Sequence, residues 1–440
     1  MPRAAEVSVG TAHQRRCVRF APLAGSGRQR QPSGRDEHAL PASRTPAATV
    51  AVALLVGVGL TWAAQAQPAE SQPVSPEQRR QQLERAAGEM SRVQDRIEAE
   101  LMIRRGAAFL LKAQQDDGGW ASQTGPGISA LVVKALARTP GIGPRHPAVR
   151  RGVRFVLSFQ RPDGGIYGPD GLIKNYETSV ALSMLAALRD PAYAEHVRKA
   201  RAFLQGLQWD EGEGKHPDDV WYGGAGYGRH KRPDLSNTQM MLEALRDSGL
   251  PADDPTYRKA LLFIKRCQML GESNDQPFAR GSTQGGFIYS PANGGESKAG
   301  KCSFDGREEL RCYGSMTYAG LKSMLYCGLS KDDPRVKAAF DWIRRNWTLD
   351  ANPNMPGRQS RQGLFYYYHV FARALDAWDA DVITDSAGRR HDWRHELVVK
   401  LGQLQKSDGS WVNDEDRWME GIPALTTAYS LLALQAAFGP

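Results

Sequence analysis

The sequence has little net charge to explain, few cysteines and almost no long apolar runs, and each shortage narrows what it can be. Lys and Arg number 57 against 48 Asp and Glu; residues 1–66 hold 8 of the former and 3 of the latter, leaving 49 against 45 for the remainder. A body at formal charge +4 gives no reason to invoke nucleic acid. The one uncharged apolar run of note, ATVAVALLVGVGLTWA at 48–63, is short for a membrane span. It follows Arg44 and precedes Ala64-Gln65-Ala66, a small-x-small cleavage pattern, and reads as a secretory signal peptide within residues 1–66, cut after Ala66. The protein is expected to be exported, periplasmic or extracellular, and to touch a membrane only if that run stays uncleaved. Export removes one of the 5 cysteines, Cys17, and leaves Cys267, Cys302, Cys312 and Cys327 in an oxidising compartment. A disulfide between Cys302 and Cys312 is expected to close SFDGREELR, with Cys267 and Cys327 as buried thiols in apolar helical patterns.

What is present is a repeat. Residues 67–97 read as a helical or flexible linker, and the pattern over 76–112 as one long helix, or two joined, starting at Pro76. Apolar helix patterns then end in QQDDGGW (114–120), QRPDGGIY (160–167) and QKSDGSW (405–411), with Gln208-Trp209 and Gln284-Gly-Gly-Phe287 as looser copies. Asp-Gly supplies the reversal, because glycine accepts positive φ and Asp bonds its own backbone. A second helix follows each turn. These second helices align on one another at Ser129, Thr178, Thr238, Thr317, Tyr368 and Thr427, with Leu136, Leu185, Leu245, Met324, Leu375 and Leu434 seven residues later on the same face. Six such helices, nearly apolar all round and each preceded by a more charged partner, predict an all-α (α/α)6 toroid over 98–440, with six inner and six outer helices and an N-terminal helical extension.

The Gln-x-x-Asp-Gly-x-Trp turns, each followed by an apolar inner helix, resemble the repeats of squalene-hopene cyclases, the prenyltransferase and squalene oxidase repeat. The whole toroid is similar to the superfamily of terpene cyclases and protein prenyltransferases. In those cyclases an Asp-x-Asp-Asp-Thr sequence opens an inner helix and its middle Asp protonates the alkene. The aligned residues here are Asp234, Leu235, Ser236, Asn237 and Thr238. A serine hydroxyl is far too weak an acid for that step, so the standard proton donor is missing at this position. Helix capping accounts for Ser236-Asn237-Thr238 as well. The acids Asp414 and Asp416, between the last turn and the last inner helix, are the candidates for a displaced donor beside Asp234.

The prenyltransferase resemblance implies zinc held by Asp-x-Cys and a His, which points to Cys312 and His369. That spacing is absent, since Leu310 stands two before Cys312, so no metal or cofactor is expected. The ends of the inner helices gather aromatics and glycines, giving Trp221, Tyr222, Tyr227, Tyr289, Tyr313, Tyr367, His369 and Trp418, with Ser236 and Asn237, as candidate ligand contacts. Toroids of this kind also host glycan hydrolases, for which Glu177, Asp234 and Glu420 would be candidate carboxylates. The leading expectation is a toroid that binds an isoprenoid or other apolar small molecule, or a protein partner. The alternatives are a terpenoid cyclase or prenyltransferase-like enzyme with a displaced acid, and a glycan-active enzyme.

Overall fold

Outer and inner helices differ in how they start and in what they bury. The computed structural model describes residues 75–228 and 232–439, so the expected signal peptide lies outside the described residues. Six helix pairs follow in order: α1 (Pro76–Lys112) with α2 (Gly127–Ala137), α3 (Pro147–Leu157) with α4 (Lys174–Leu188), α5 (Ala194–Gln205) with α6 (Leu235–Asp247), α7 (Pro255–Cys267) with α8 (Gly314–Tyr326), α9 (Pro334–Arg345) with α10 (Leu364–Trp378), and α11 (Trp393–Leu404) with α12 (Pro423–Phe438). Four outer helices open with a side-chain cap followed by proline, at Ser75, His146, Asp254 and Asp333, where the fixed φ of proline suits the first helical position. The outer helix α3 buries one stripe, Val149, Gly152, Val153 and Val156. The inner helix α2 buries every residue. An all-round apolar helix is stable only behind another layer, which is the arrangement found. Each inner helix packs on the next, and α12 returns to α2, so the inner ring is closed. Two short hairpins, β1 (Lys301–Phe304) with β2 (Arg307–Leu310) and β3 (Val382–Thr384) with β4 (Arg390–Asp392), ride on the connections.

Helix α1 is one continuous element from Pro76 to Lys112, as its sequence pattern predicts, so residues 76–97 of the expected linker are helical and continuous with the first outer helix. Its extension shows solvent an apolar stripe of Leu83, Met90, Val93 and Ile97. Against the expected disulfide, Cys302 and Cys312 are free thiols; the segment between them is already closed by the β1–β2 hairpin, in which Cys302 pairs across to Glu309.

The repeat motif is a set of bonds. In five pairs the recurrent hydroxyl of the inner helix accepts the backbone N–H that ends the turn: Trp120 to Ser129 (2.8 Å), Ile166 to Thr178 (3.0 Å), Ala225 to Thr238 (3.0 Å), Phe287 to Thr317 (3.1 Å) and Trp411 to Thr427 (3.1 Å). In the fifth pair Tyr368 takes the place, donating instead to the Leu349 carbonyl at 2.8 Å. The turn glutamine looks the other way. Gln114 donates to the carbonyls of Gly118 and of Ala148, in the next outer helix. Gln208 does the same to Gly223 and Thr256, and Gln268 to Gly285 and Arg335. Gln405 donates to Gly409 and to Met102 of α1, closing the outer ring with the bond used elsewhere. In the fourth pair the glutamine is therefore Gln268 and not Gln284, which instead bonds Glu309 and Leu310. The turn glycine is required by position as well as by φ: at Gly285, with φ +82°, a Cβ would stand 2.5 Å from the Ala338 carbonyl of α9.

At the end of the ring away from the inner-helix starts, the lumen is closed by ions. Lys134 of α2 meets Asp247 of α6 at 2.9 Å, Arg373 of α10 meets Glu243 of α6 at 3.1 Å, and Lys322 of α8 also pairs with Glu243. Burial pushes the Glu243 carboxyl up, but Lys322, Arg373 and Lys134 together hold it well below the usual range, so it stays charged.

Replacing Gln268 by Ala removes the side-chain donor of the buried Gly285 carbonyl and the tie to the Arg335 carbonyl of α9, at a cost of about 1–3 kcal/mol. Urea unfolding should show a lowered midpoint with an unchanged slope, and an unshifted midpoint would contradict the role given to this bond.

Candidate functional site

The helix register places the site. Counting back from the recurrent hydroxyl or Tyr, the residue two before it is Gly127, Tyr176, Ser236, Ser315, Tyr366 or Leu425, and all six line one cavity at the start of the inner helices. The residue one before it lines the same cavity at Ile128, Glu177, Asn237 and Met316. The cavity is about 340 Å³, within the ~300–1,000 Å³ range of small-molecule sites. Its floor is a tyrosine network. The Tyr176 and Tyr429 hydroxyls are 2.8 Å apart, and the Tyr366 hydroxyl lies 3.2 Å from Ser236 Oγ and accepts from Gln239 Nε2 at 3.1 Å. Ile173, Met355, Trp418 and Met419 add apolar surface, together with Lys298, whose ammonium is paired with Glu296 and stands 4.4 Å over the Tyr289 ring. Trp418 and Met419 both carry left-handed backbone, φ +66° and +65°, and keep large apolar side chains exposed. Consecutive non-glycine residues in that region store strain of roughly 1–3 kcal/mol each.

Of the expected contacts, Tyr227, Ser236, Asn237, Tyr289, Tyr313 and Trp418 line the cavity. The others do not. Trp221 packs edge-on against Trp209 at 4.9 Å, and Tyr222 donates to Glu211. Tyr367 is core, donating to the Thr348 carbonyl and packed on Tyr318 and Phe371. His369 stacks under Tyr429 at 5.6 Å, where burial pushes its pKa down to about 3 and leaves it neutral. Cys312 is buried elsewhere, against Gly286. Among the described residues no group of three or more His, Cys, Asp or Glu is placed to hold a metal ion.

The expected acids are also rearranged. Asp414 and Asp416 are exposed, and Asp416 accepts the Gly421 N–H in a turn, which removes them from the cavity. Asp234 is buried as the N-cap of α6; its carboxylate accepts the Asn237 N–H at 2.8 Å and both oxygens take bonds from Asn237 Nδ2. The cavity acids are Glu177 and Glu420, two of the three carboxylates that the sequence offered at inner-helix starts for a glycan-active enzyme. Glu420 accepts Tyr366 N–H and Asn413 Nδ2, capping α10. Glu177 accepts one bond, from Gly168 N–H at 3.0 Å. Burial pushes Glu177 and Glu420 up to about 7 and Asp234 to about 6.

With this geometry in place, residues 123–230 match the family model of the squalene-hopene cyclase C-terminal domain, a stretch that contains Glu177 and ends ahead of Asp234. No curated protein matches. Among solved structures the chain is similar to a variant of the type II terpene cyclase MstE from Scytonema, free of ligand, at TM-score 0.49 and 15% identity, over 78% of this chain and 99% of that one. A second MstE variant, in complex with its substrate geranylgeranyl dihydroxybenzoate, gives TM-score 0.48 at 15% identity over the same shares. A protein from Actinoplanes gives 0.44 at 16%, over 77% and 99%.

Carboxyls whose folded pKa is raised contribute stability at low pH that is lost as pH climbs from their unfolded value near 4 through about 6–7. Thermal melts should therefore show this contribution falling from about pH 4 to pH 7 and levelling off above pH 7, with Glu177→Gln removing a share of about 1–3 kcal/mol. A melting temperature that rises over this interval would contradict the burial described.

Proposed function

We propose that this squalene-cyclase-like toroid binds an isoprenoid-type apolar molecule in its central cavity and does not protonate it from α6. The observation that carries the reading is that Ser236 and Asn237 face the cavity in the register where the resemblance calls for carboxyls. A serine hydroxyl cannot transfer a proton to carbon at ordinary pH. The tyrosines, Ile173, Met316, Leu425 and Trp418 offer a surface suited to an apolar chain.

The alternative of a displaced acid is weakened from two sides. Asp414 and Asp416 are outside the cavity, and the two carboxyls that do line it are weaker acids than usual, whereas protonating an alkene needs a stronger one. A glycan-active reading lacks support of its own, since Glu420 is engaged by the α10 N-terminus and an Asn side chain. The proposal includes export, from the apolar run 48–63 and the Ala64-Gln65-Ala66 pattern.

Native mass spectrometry of the purified protein, followed by denaturing extraction, should release an apolar small molecule, and incubation with squalene should return squalene unchanged. A cyclised product would defeat the reading, as would failure to take up any isoprenoid. Leu425→Trp, which fills the cavity from α12, should abolish uptake with little change in melting temperature. N-terminal sequencing of the mature protein should begin at Gln67, and an intact leader would refute the cleavage.

A further inference from the structure

The cavity's polar groups restrict the occupant's polar end. Resting on the reading that an isoprenoid-type molecule binds there, we propose that this molecule ends in a neutral oxygen that accepts a hydrogen bond, such as a ketone or quinone carbonyl, and that the protonated Glu177 carboxyl donates that bond. Phosphate and diphosphate ends are disfavoured, because two carboxyls line the cavity and its one described cation is already paired.

Three observations converge on Glu177. It holds in α4 the register that Asn237 holds in α6, one residue before the recurrent hydroxyl, and so faces the cavity with Ile128 and Met316. Its side chain is buried at 2% exposure between two glycines: Oε2 takes the Gly168 N–H, and Oε1 lies over Gly125, whose φ of +91° and lack of a Cβ leave the carboxyl its room. Among the described residues no cation is paired with it, and a buried carboxyl without one keeps its proton. Such a group is a donor to a neutral acceptor, as Tyr and backbone N–H groups are in drier sites.

The case against phosphate rests on what is already engaged. Lys298 is the one Lys or Arg among the described lining residues, and Glu296 holds it. Helix N-termini suit an anion. That of α6 is taken by Asp234 through Asn237 N–H, that of α10 by Glu420 through Tyr366 N–H, and that of α8 by Asn352 through Ser315 N–H, whereas α2, α4 and α12 have no side-chain cap. Among the described residues a diphosphate entering here would meet two carboxyls and no uncommitted cation.

Burial raises the Glu177 pKa to about 7, and Asp170 from the adjoining turn adds to it. Among the described residues the other titratable groups at this cavity are Tyr176 beside it on α4, Tyr227 and Tyr289 ahead of α6 and α8, Tyr313 at the start of α8, Tyr366 on α10, Glu420 and Tyr429 from α12 and its approach, and Lys298. Glu420 titrates in the same range, so the variant at Glu177 assigns the effect.

The test is equilibrium binding of geranylacetone, which can only accept, and of geranyl diphosphate, an anion with a chain of similar length, at pH 6 and pH 8. Geranylacetone should bind wild type about tenfold more weakly at pH 8, as the protonated fraction falls, and geranyl diphosphate should bind more weakly than geranylacetone at pH 6. Glu177→Gln keeps an N–H donor without a titrating proton, so its geranylacetone affinity should be flat across this range. Tighter binding of geranyl diphosphate, or a pH dependence that survives in Glu177→Gln, overturns the proposal. Uptake of squalene without uptake of geranylacetone overturns it alone and leaves the apolar-binding reading standing; uptake of none of the three overturns both.

Discussion

The ring depends on one small contact made over and over, a glutamine in each turn reaching the next outer helix. Gln114, Gln208, Gln268 and Gln405 each satisfy their own turn glycine and a carbonyl one helix pair ahead. Gln160 does the equivalent with His196 of α5, and in the fifth pair Trp347 reaches Glu396 of α11. A neutral hydrogen bond contributes only ~1 kcal/mol net, but leaving the buried turn carbonyl empty would cost more than making the bond gains. The second bond of each glutamine ties its turn to the next outer helix, so a pair that turned too far or too little would lose it.

Along the ring axis the lumen changes character in steps. The start of the inner helices is an apolar cavity, the tyrosine network Tyr176, Tyr429 and Tyr366 forms its floor, neutral His369 lies beneath, and the Lys134, Glu243, Asp247, Lys322 and Arg373 network fills the far end. Most of the lumen's charge is thereby gathered at one end, where Asp376 completes the balance with Arg373, and the cavity keeps the Lys298–Glu296 pair and two carboxyls that burial pushes up to about 7. A buried ion network is weak evidence of stability in itself, because desolvation opposes attraction. Its position matters more: it bars the lumen at the end opposite the cavity that Trp418 and Met419 line.

Most of this was readable in the chain, and the failures have a common cause. The six hydroxyl and Tyr positions gave the inner helices and their register, and Pro76 gave the start of α1 to the residue. Composition near the helix starts pointed to Tyr289 and Tyr313, which line the cavity, and also to Trp221 and Tyr222, which turn into outer contacts, and to Tyr367, which is core. Proximity in sequence to a helix start does not fix direction, whereas distance from the recurrent hydroxyl does. That count keeps Glu177, already a candidate carboxylate, and sets aside Asp414 and Asp416, which belong to no inner helix. The ion network was not legible, because Lys134, Glu243, Lys322 and Arg373 come from four separated helices and meet only when the ring closes. The free thiols at Cys302 and Cys312 reflect a hairpin that short polar sequence does not announce.

Gln405 to Met102 has a further consequence. The bond that joins the last pair to the first is the one that joins the pairs between them, and the Phe438 carbonyl already receives Arg96 of α1. The place where the polypeptide opens is thus chemically an ordinary junction. A circularly permuted gene, with the old ends linked and new ends cut in the exposed loop between α2 and α3, encodes the same set of contacts in a different order of synthesis.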